Sequence, residues 1–235
     1  MISLYKKELA AYFFSPFGFV FLGVFMLTAG IVFTIYNLLG ANGDMAGTFD
    51  MLRNFSFILF PTLTMRIFAE ERRNGSEQLL MTSRLSITEI VLGKFFAACS
   101  VFMAALFVTL VFVGIIFRYG APNAGFIIAS YLGFFLLGMT MIAICTFISS
   151  FAETQITAAI ASSGTLFFLV LLSSFSKSLQ IPIITPILQV LAITIRYDEF
   201  TRGILKPGPV AYYLALTSLA ILFTVKALEL RRYTR

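Results

Sequence analysis

Histidine is absent from the 235 residues. That excludes haem held by a histidine, His-ligated zinc and Ser–His catalysis. No cluster of carboxylates and cysteines takes its place. The two cysteines, Cys99 and Cys145, sit inside apolar runs and read as reduced packing residues. Charge is also scarce, at 12% of residues, about half its share in soluble domains. No Gly-x-x-x-x-Gly-Lys-Ser/Thr loop is present: Gly93-Lys94 is followed by Phe95, and no glycine lies five residues before Gly93. Any nucleotide hydrolysis must come from another polypeptide. The long apolar runs are almost uncharged between their ends, so no proton relay or ion-coupling carboxylate is visible. This argues against a secondary transporter.

What remains is apolar: 59% of residues, with a mean hydropathy of +0.95. A core of this length could not hide so much apolar surface, so lipid is the expected solvent. A helix needs about 20 apolar residues to cross a bilayer. Six segments qualify, at about 17–39, 49–69, 95–117, 126–151, 154–176 and 209–228. The fold class expected is an all-α membrane protein, a single permease-like domain over 1–235. The first run is longer than a signal-peptide core, and no small-x-small cleavage site follows it. Six spans put both termini on one side. With the N-terminus inside, most of the 17 Lys and Arg fall inside, which favours cytoplasmic termini. The net charge of +6 is read as basic cytoplasmic ends rather than as nucleic-acid binding.

Three stretches outside the spans carry information. At 1–15, Ile2, Tyr5, Leu9 and Tyr12 recur at helical spacing, and Ser15-Pro16 ends the pattern. This fits a helix in the membrane interface, and equally a positive-inside anchor. The loop 70–94 carries two capping signals, Asn74 with Glu77 and Ser86 with Glu89. They predict two short helices, with Leu79, Leu80 and Met81 as an apolar knob on the first. Such a knob suits a groove in another protein, or packs back on its own bundle. The segment 177–207 is apolar but broken by Pro182 and Pro186. It reads as a hairpin on the outer surface, a re-entrant element or a seventh span.

The loop also carries a resemblance. Glu71-Arg72-x-x-Gly75-Ser76-x-x-Leu79-Leu80-x-x-Ser83, then Ser86-x-x-Glu89-Ile90-Val91-x-Gly93-Lys94, resembles the signature of ABC-2 type transporter permeases. The nearest subgroup is the gliding-motility-associated and nitrous-oxide-reductase-maturation permeases. The likeness runs upstream through Ser15-Pro16-Phe17, Pro61 and Met65-Arg66, and downstream to Phe200-x-Arg202-Gly203-Ile204. It departs at Arg84, where a proline is expected, and at Lys206, where relatives often turn acidic. It implies that 70–94 holds a coupling helix that docks on a separate ABC ATPase subunit. The contact would run through Glu70, Glu71, Arg72, Gly75, Ser76, Leu79, Leu80, Ser83, Ser86 and Glu89, with a smaller one at Glu153 in the loop 149–155, which otherwise reads as a plain turn. It implies that 177–207 is an outer re-entrant hairpin. Pro182, Pro186, Phe200, Arg202 and Gly203 would form an outer gate or contact an extracytoplasmic auxiliary subunit.

The expectation is a probable exporter's permease subunit in the inner (plasma) membrane, paired with a second copy or a paralogue. It is no enzyme itself, and it has no cofactor of its own. ATP and magnesium would sit on the partner ATPase. The competing classes are an autonomous carrier or channel, which should show broken or charged helices at midplane, and a membrane enzyme, which the histidine-free, carboxylate-poor spans leave little room for.

Overall fold

The computed structural model describes residues 2–73, 75, 86–119, 122–178 and 193–234. Among them the chain is helical, with no strand. Helix α1 (Ile2–Phe14) stops at Ser15, which Pro16 holds extended at φ −107°, ψ 155°. Pro16 then opens α2 (Pro16–Phe33), where its missing N–H costs nothing. A wider π turn, Thr34–Leu39, prolongs α2. Helices α3 (Ala46–Thr64) and α4 (Ala69–Arg73) follow, joined by a tight turn. The long helices α5 (Ile87–Tyr119), α6 (Ala124–Ser149) and α7 (Gln155–Ser178) come next. A short α8 (Tyr197–Thr201) precedes α9 (Pro207–Thr234).

Five stretches are long and apolar enough to cross a membrane: Pro16–Leu39, Ile87–Tyr119, Ala124–Ser149, Gln155–Ser173 and Pro207–Arg231. The chain is a multi-pass membrane protein. The segment expected to be a second span, 49–69, is not among the five. Its helix α3 begins earlier and ends at Thr64, and it carries Asp50, Arg53, Asn54, Ser56, Thr62 and Thr64. Those groups are tolerable because α3 packs against α2, α6 and α7, and its Thr48, Ser56 and Thr64 face the interior. Polar groups that face a bundle avoid lipid.

Helix α6 is the hub. Of its apolar stretch 67% is buried, against 22–33% in the other four. Lipid gives helices no hydrophobic drive to associate, so close packing and hydrogen bonds must hold them. Gly138 supplies the closeness: a Cβ there would lie 2.2 Å from the Phe102 ring on α5. Around that contact stands an aromatic core. Phe102 meets Phe60 edge-on at 5.0 Å, and Phe49 stacks on Phe134 at 4.9 Å. The hydrogen bonds are few and neutral. Thr140 meets Thr217 at 3.0 Å between α6 and α9, and Thr109 meets Tyr131 at 2.9 Å between α5 and α6. Cys99 and Cys145 are buried and unpaired.

The capping box at Ser86 has both reciprocal bonds. Glu89 N–H donates to Ser86 Oγ at 3.2 Å, and Ser86 N–H donates to Glu89 Oε2 at 3.1 Å. The helix it starts is not a separate short one, however. It runs unbroken through Gly93 into the span as α5. Helix α1 lays its apolar stripe on the bundle. Tyr5, Leu9 and Tyr12 pack on the bundle, chiefly on α5, while Ile2 is exposed. Gly93 permits this crossing, since a Cβ there would touch Leu4 at 3.3 Å.

Candidate functional site

Charge collects at the two ends of the bundle. At the end that holds α1, the organising group is Lys94, which is only 2% exposed. It falls on the buried stripe Ile87, Ile90, Val91, Lys94, Ala98, Val101 of α5. Its ammonium donates to Glu71 Oε1 at 2.7 Å, to the Ile67 carbonyl at 3.0 Å and to Glu8 Oε1 at 3.1 Å. Three protons therefore meet three acceptors. The Phe68 ring lies 5.6 Å away on a fourth side. One side chain thus ties α5 to α1, to the α3–α4 turn and to α4. Burial pushes the Glu71 carboxyl above its ordinary value, against the opposing pull of the Lys94 ammonium.

Two arginines extend the node. Arg66 donates from Nη2 to Glu70 Oε1 at 3.1 Å and from Nε to the other carboxylate oxygen. Its Nη1 donates to Ser15 Oγ, and its guanidinium covers the Phe17 ring at 5.1 Å. Arg72 donates to the carbonyls of Ser150 and Ala152, in the loop between α6 and α7. Tyr12 donates to the Leu63 carbonyl at 3.0 Å. A polar cavity of about 210 Å³ lies among Lys7, Glu8, Tyr12, Arg66, Glu70, Glu71 and Lys94.

The residues singled out in the loop thus divide. Glu70, Glu71 and Arg72 turn inward and bind other parts of the same chain. Gly75 ends α4 with φ +69°, a conformation that side chains resist, and its N–H donates to the Arg72 carbonyl at 3.1 Å. Ser86 and Glu89 cap α5. Glu153 is exposed, in the loop that Arg72 holds. Ser76, Leu79, Leu80 and Ser83 lie outside the described residues, as do Pro182 and Pro186. Glu8 and Lys94 were missed as site residues. The signal for Lys94 was its place on the apolar stripe of its own helix.

At the opposite end, Arg53 of α3 plays the corresponding part. It pairs with Asp50 at 2.9 Å and with Asp198 of α8 at 3.1 Å, and covers the Tyr197 ring at 5.6 Å. Tyr213 of α9 donates to the Ile193 carbonyl at 2.7 Å. Phe200 is fully buried against Gly133, where a Cβ would lie 2.5 Å from it. Gly203 closes α8 at φ +72°: its N–H donates to the Phe200 carbonyl at 3.0 Å, and Ile204 N–H to that of Glu199 at 3.2 Å. Phe200 and Gly203 therefore pin this segment to α6, while Arg202 is exposed. No protein-family model matches the chain, and comparison with curated proteins finds no match. Among the described residues no cluster of three or more Cys, Asp or Glu could hold a metal ion.

Proposed function

We propose that this chain is the membrane-spanning permease subunit of an ATP-driven ABC-2 type exporter, working with a separate ATPase. The observation that carries the reading is how α4 is anchored. This five-residue helix leads directly into the loop that resembles a coupling helix. Its three consecutive charged side chains reach three places: Glu70 to Arg66, Glu71 to Lys94 on α5, and Arg72 to the α6–α7 loop. A force on α4 would therefore reach α1, α3, α5 and the loop before α7 together. That is what a transmission element between an ATPase and a bundle requires. For the ATPase to drive movement, docking must be stronger in one bundle state than in the other.

In this reading α3 completes six spans in the inner membrane, with both termini cytoplasmic. The α1 end faces the ATPase. Two such subunits flank the pathway, and the segment 177–207 closes its outer end. The inward pairing of Glu70, Glu71 and Arg72 makes them anchors of the docking loop, and leaves Leu79 and Leu80 as the knob that meets the ATPase.

Affinity purification in mild detergent tests this. An ATPase subunit should co-purify in about equal amounts, and Leu80→Asp should abolish its recovery while the permease still folds. Purification alone, even after cross-linking at Gly75, would point to an autonomous carrier or channel.

A further inference from the structure

The junction of α1 and α2 carries two cavities whose linings meet in sequence at Met65 and Arg66. One is the polar cavity already described, with the exposed Lys7 on its lining. The other is an apolar groove of about 200 Å³ between α2 and the end of α3, lined by Phe17, Val20, Phe21, Val24, Thr62 and Met65. Arg66 joins them. It lines the polar cavity, follows Met65 of the groove, and lies over the Phe17 ring.

We propose that this junction is a binding site for one anionic phospholipid, with an acyl chain in the groove and the phosphate at Lys7 and Arg66. Four observations choose this occupant. From Pro16 to Val24 the groove follows α2 for about 12 Å, within the roughly 15 Å depth of one leaflet's hydrocarbon. Its volume takes an acyl chain but not a helix, whose diameter with side chains is about 10–12 Å. The junction also shows Phe13, Phe14, Phe17 and Phe19 at its surface, Phe14 to 92%, which fits the boundary of a bilayer and not water. Finally, the three carboxylates of the polar cavity pair with only two of its three cations, so the lining is neutral overall but Lys7 makes no ion pair among the described residues. Glu8 and Glu71 hold Lys94, and Glu70 holds Arg66, which leaves the Lys7 ammonium at the rim for a phosphate. The site rests on neither an ATPase nor an orientation: it belongs to whichever leaflet holds α1.

Native mass spectrometry after reconstitution in nanodiscs of equal phosphatidylglycerol and phosphatidylcholine tests it. The wild-type protein should carry one retained lipid, with phosphatidylglycerol preferred. Lys7→Gln should cut that preference about fivefold, one surface lysine's share. Thr62→Trp, which fills the groove from an exposed position, should abolish retention of either lipid. Val20→Phe serves the same end if Thr62→Trp does not fold, as judged by its circular dichroism and melting temperature. The proposal is overturned if no lipid is retained, if retention shows no headgroup preference, or if a folded groove-filling variant keeps its lipid. In that last case the attraction is diffuse, between a basic helix and an anionic surface. Lipid retention with no ATPase recovered would sink the transporter reading and leave this site standing.

Discussion

Lys94 and Arg53 are two internal cations of the bundle, one near each end, and they are held differently. The Lys94 side chain is 1% exposed, and its carboxylate partners Glu71 and Glu8 are 17% and 18% exposed. The Arg53 side chain is 13% exposed, with Asp198 at 29% and Asp50 at 44%. Lys94 has every proton met. Arg53 Nε and the Tyr197 hydroxyl beside it are buried without hydrogen-bond partners. The Lys94 node joins four pieces of chain, while the Arg53 node mainly clamps α8 onto α3. The first therefore reads as a fixed transmission joint. The second is a latch with spare hydrogen-bonding capacity, able to rearrange at low cost.

The comparison breaks most clearly at Lys94. Lys94→Ala takes the buried ammonium away from two partly buried carboxylates, Glu8 and Glu71, and losing one partner of a buried pair costs up to about 3–5 kcal/mol. Most of the folded protein should disappear from detergent extracts, as read by size-exclusion chromatography. The triple change Lys94→Met, Glu8→Gln, Glu71→Gln should recover much of it, because replacing a whole buried ionic group is often neutral. A triple variant no more stable than Lys94→Ala would mean that packing, rather than orphaned charge, sets the cost.

Arg53→Ala should do less. Its carboxylate partners can rehydrate, so the loss is about 1–3 kcal/mol, the range for hydrogen bonds to charged groups. The melting temperature should fall but the fold should survive, and protease sensitivity should rise near residues 193–206 rather than throughout. Uniform sensitivity would contradict the latch.

These two nodes also mark how far the sequence could be read. The five apolar spans were legible because runs of about 20 apolar residues have few other uses. The Ser86–Glu89 cap was legible because its spacing is local. The Lys94 node was not, because its partners lie 86 and 23 residues away, and no periodicity links them. Helix α3 was legible as an apolar segment, but the place of its polar residues was not. Its interior polar residues lower its apolarity, and only its neighbours explain why they are tolerated. Phe200 and Gly203, met in the sequence as gate candidates, pack against α6 and close α8, contacts that motif spacing alone does not show.

A smaller effect should come with pH. Burial raises the Glu71 carboxyl, so the folded state favours its protonated form. Its stabilising contribution is full below the unfolded carboxylate value of about 4.3, and is lost as pH rises through the raised folded value. Glu71→Gln keeps an acceptor for Lys94 and removes that titration. Melting temperatures taken from pH 4 upward should show wild type losing ground to Glu71→Gln across that window. Parallel profiles would mean that Lys94 fully offsets the burial.

The smallest effect lies midway between the nodes. Thr140 bonds Thr217 at 3.0 Å and also donates to the Leu136 carbonyl of its own helix at 3.0 Å. Thr140→Val keeps the shape and removes the hydroxyl. Hydrogen bonds between membrane helices average about 0.6 kcal/mol, since the unfolded chain in lipid also finds partners. The Thr140 hydroxyl has an alternative acceptor in its own helix, so the loss should sit at or below that average. A double-mutant cycle with Thr217→Val would measure it. A coupling well above that average would show that this neutral pair is a main tie between α6 and α9. The joint for transmitted motion would then have to be sought in the α6–α9 contact rather than at Lys94.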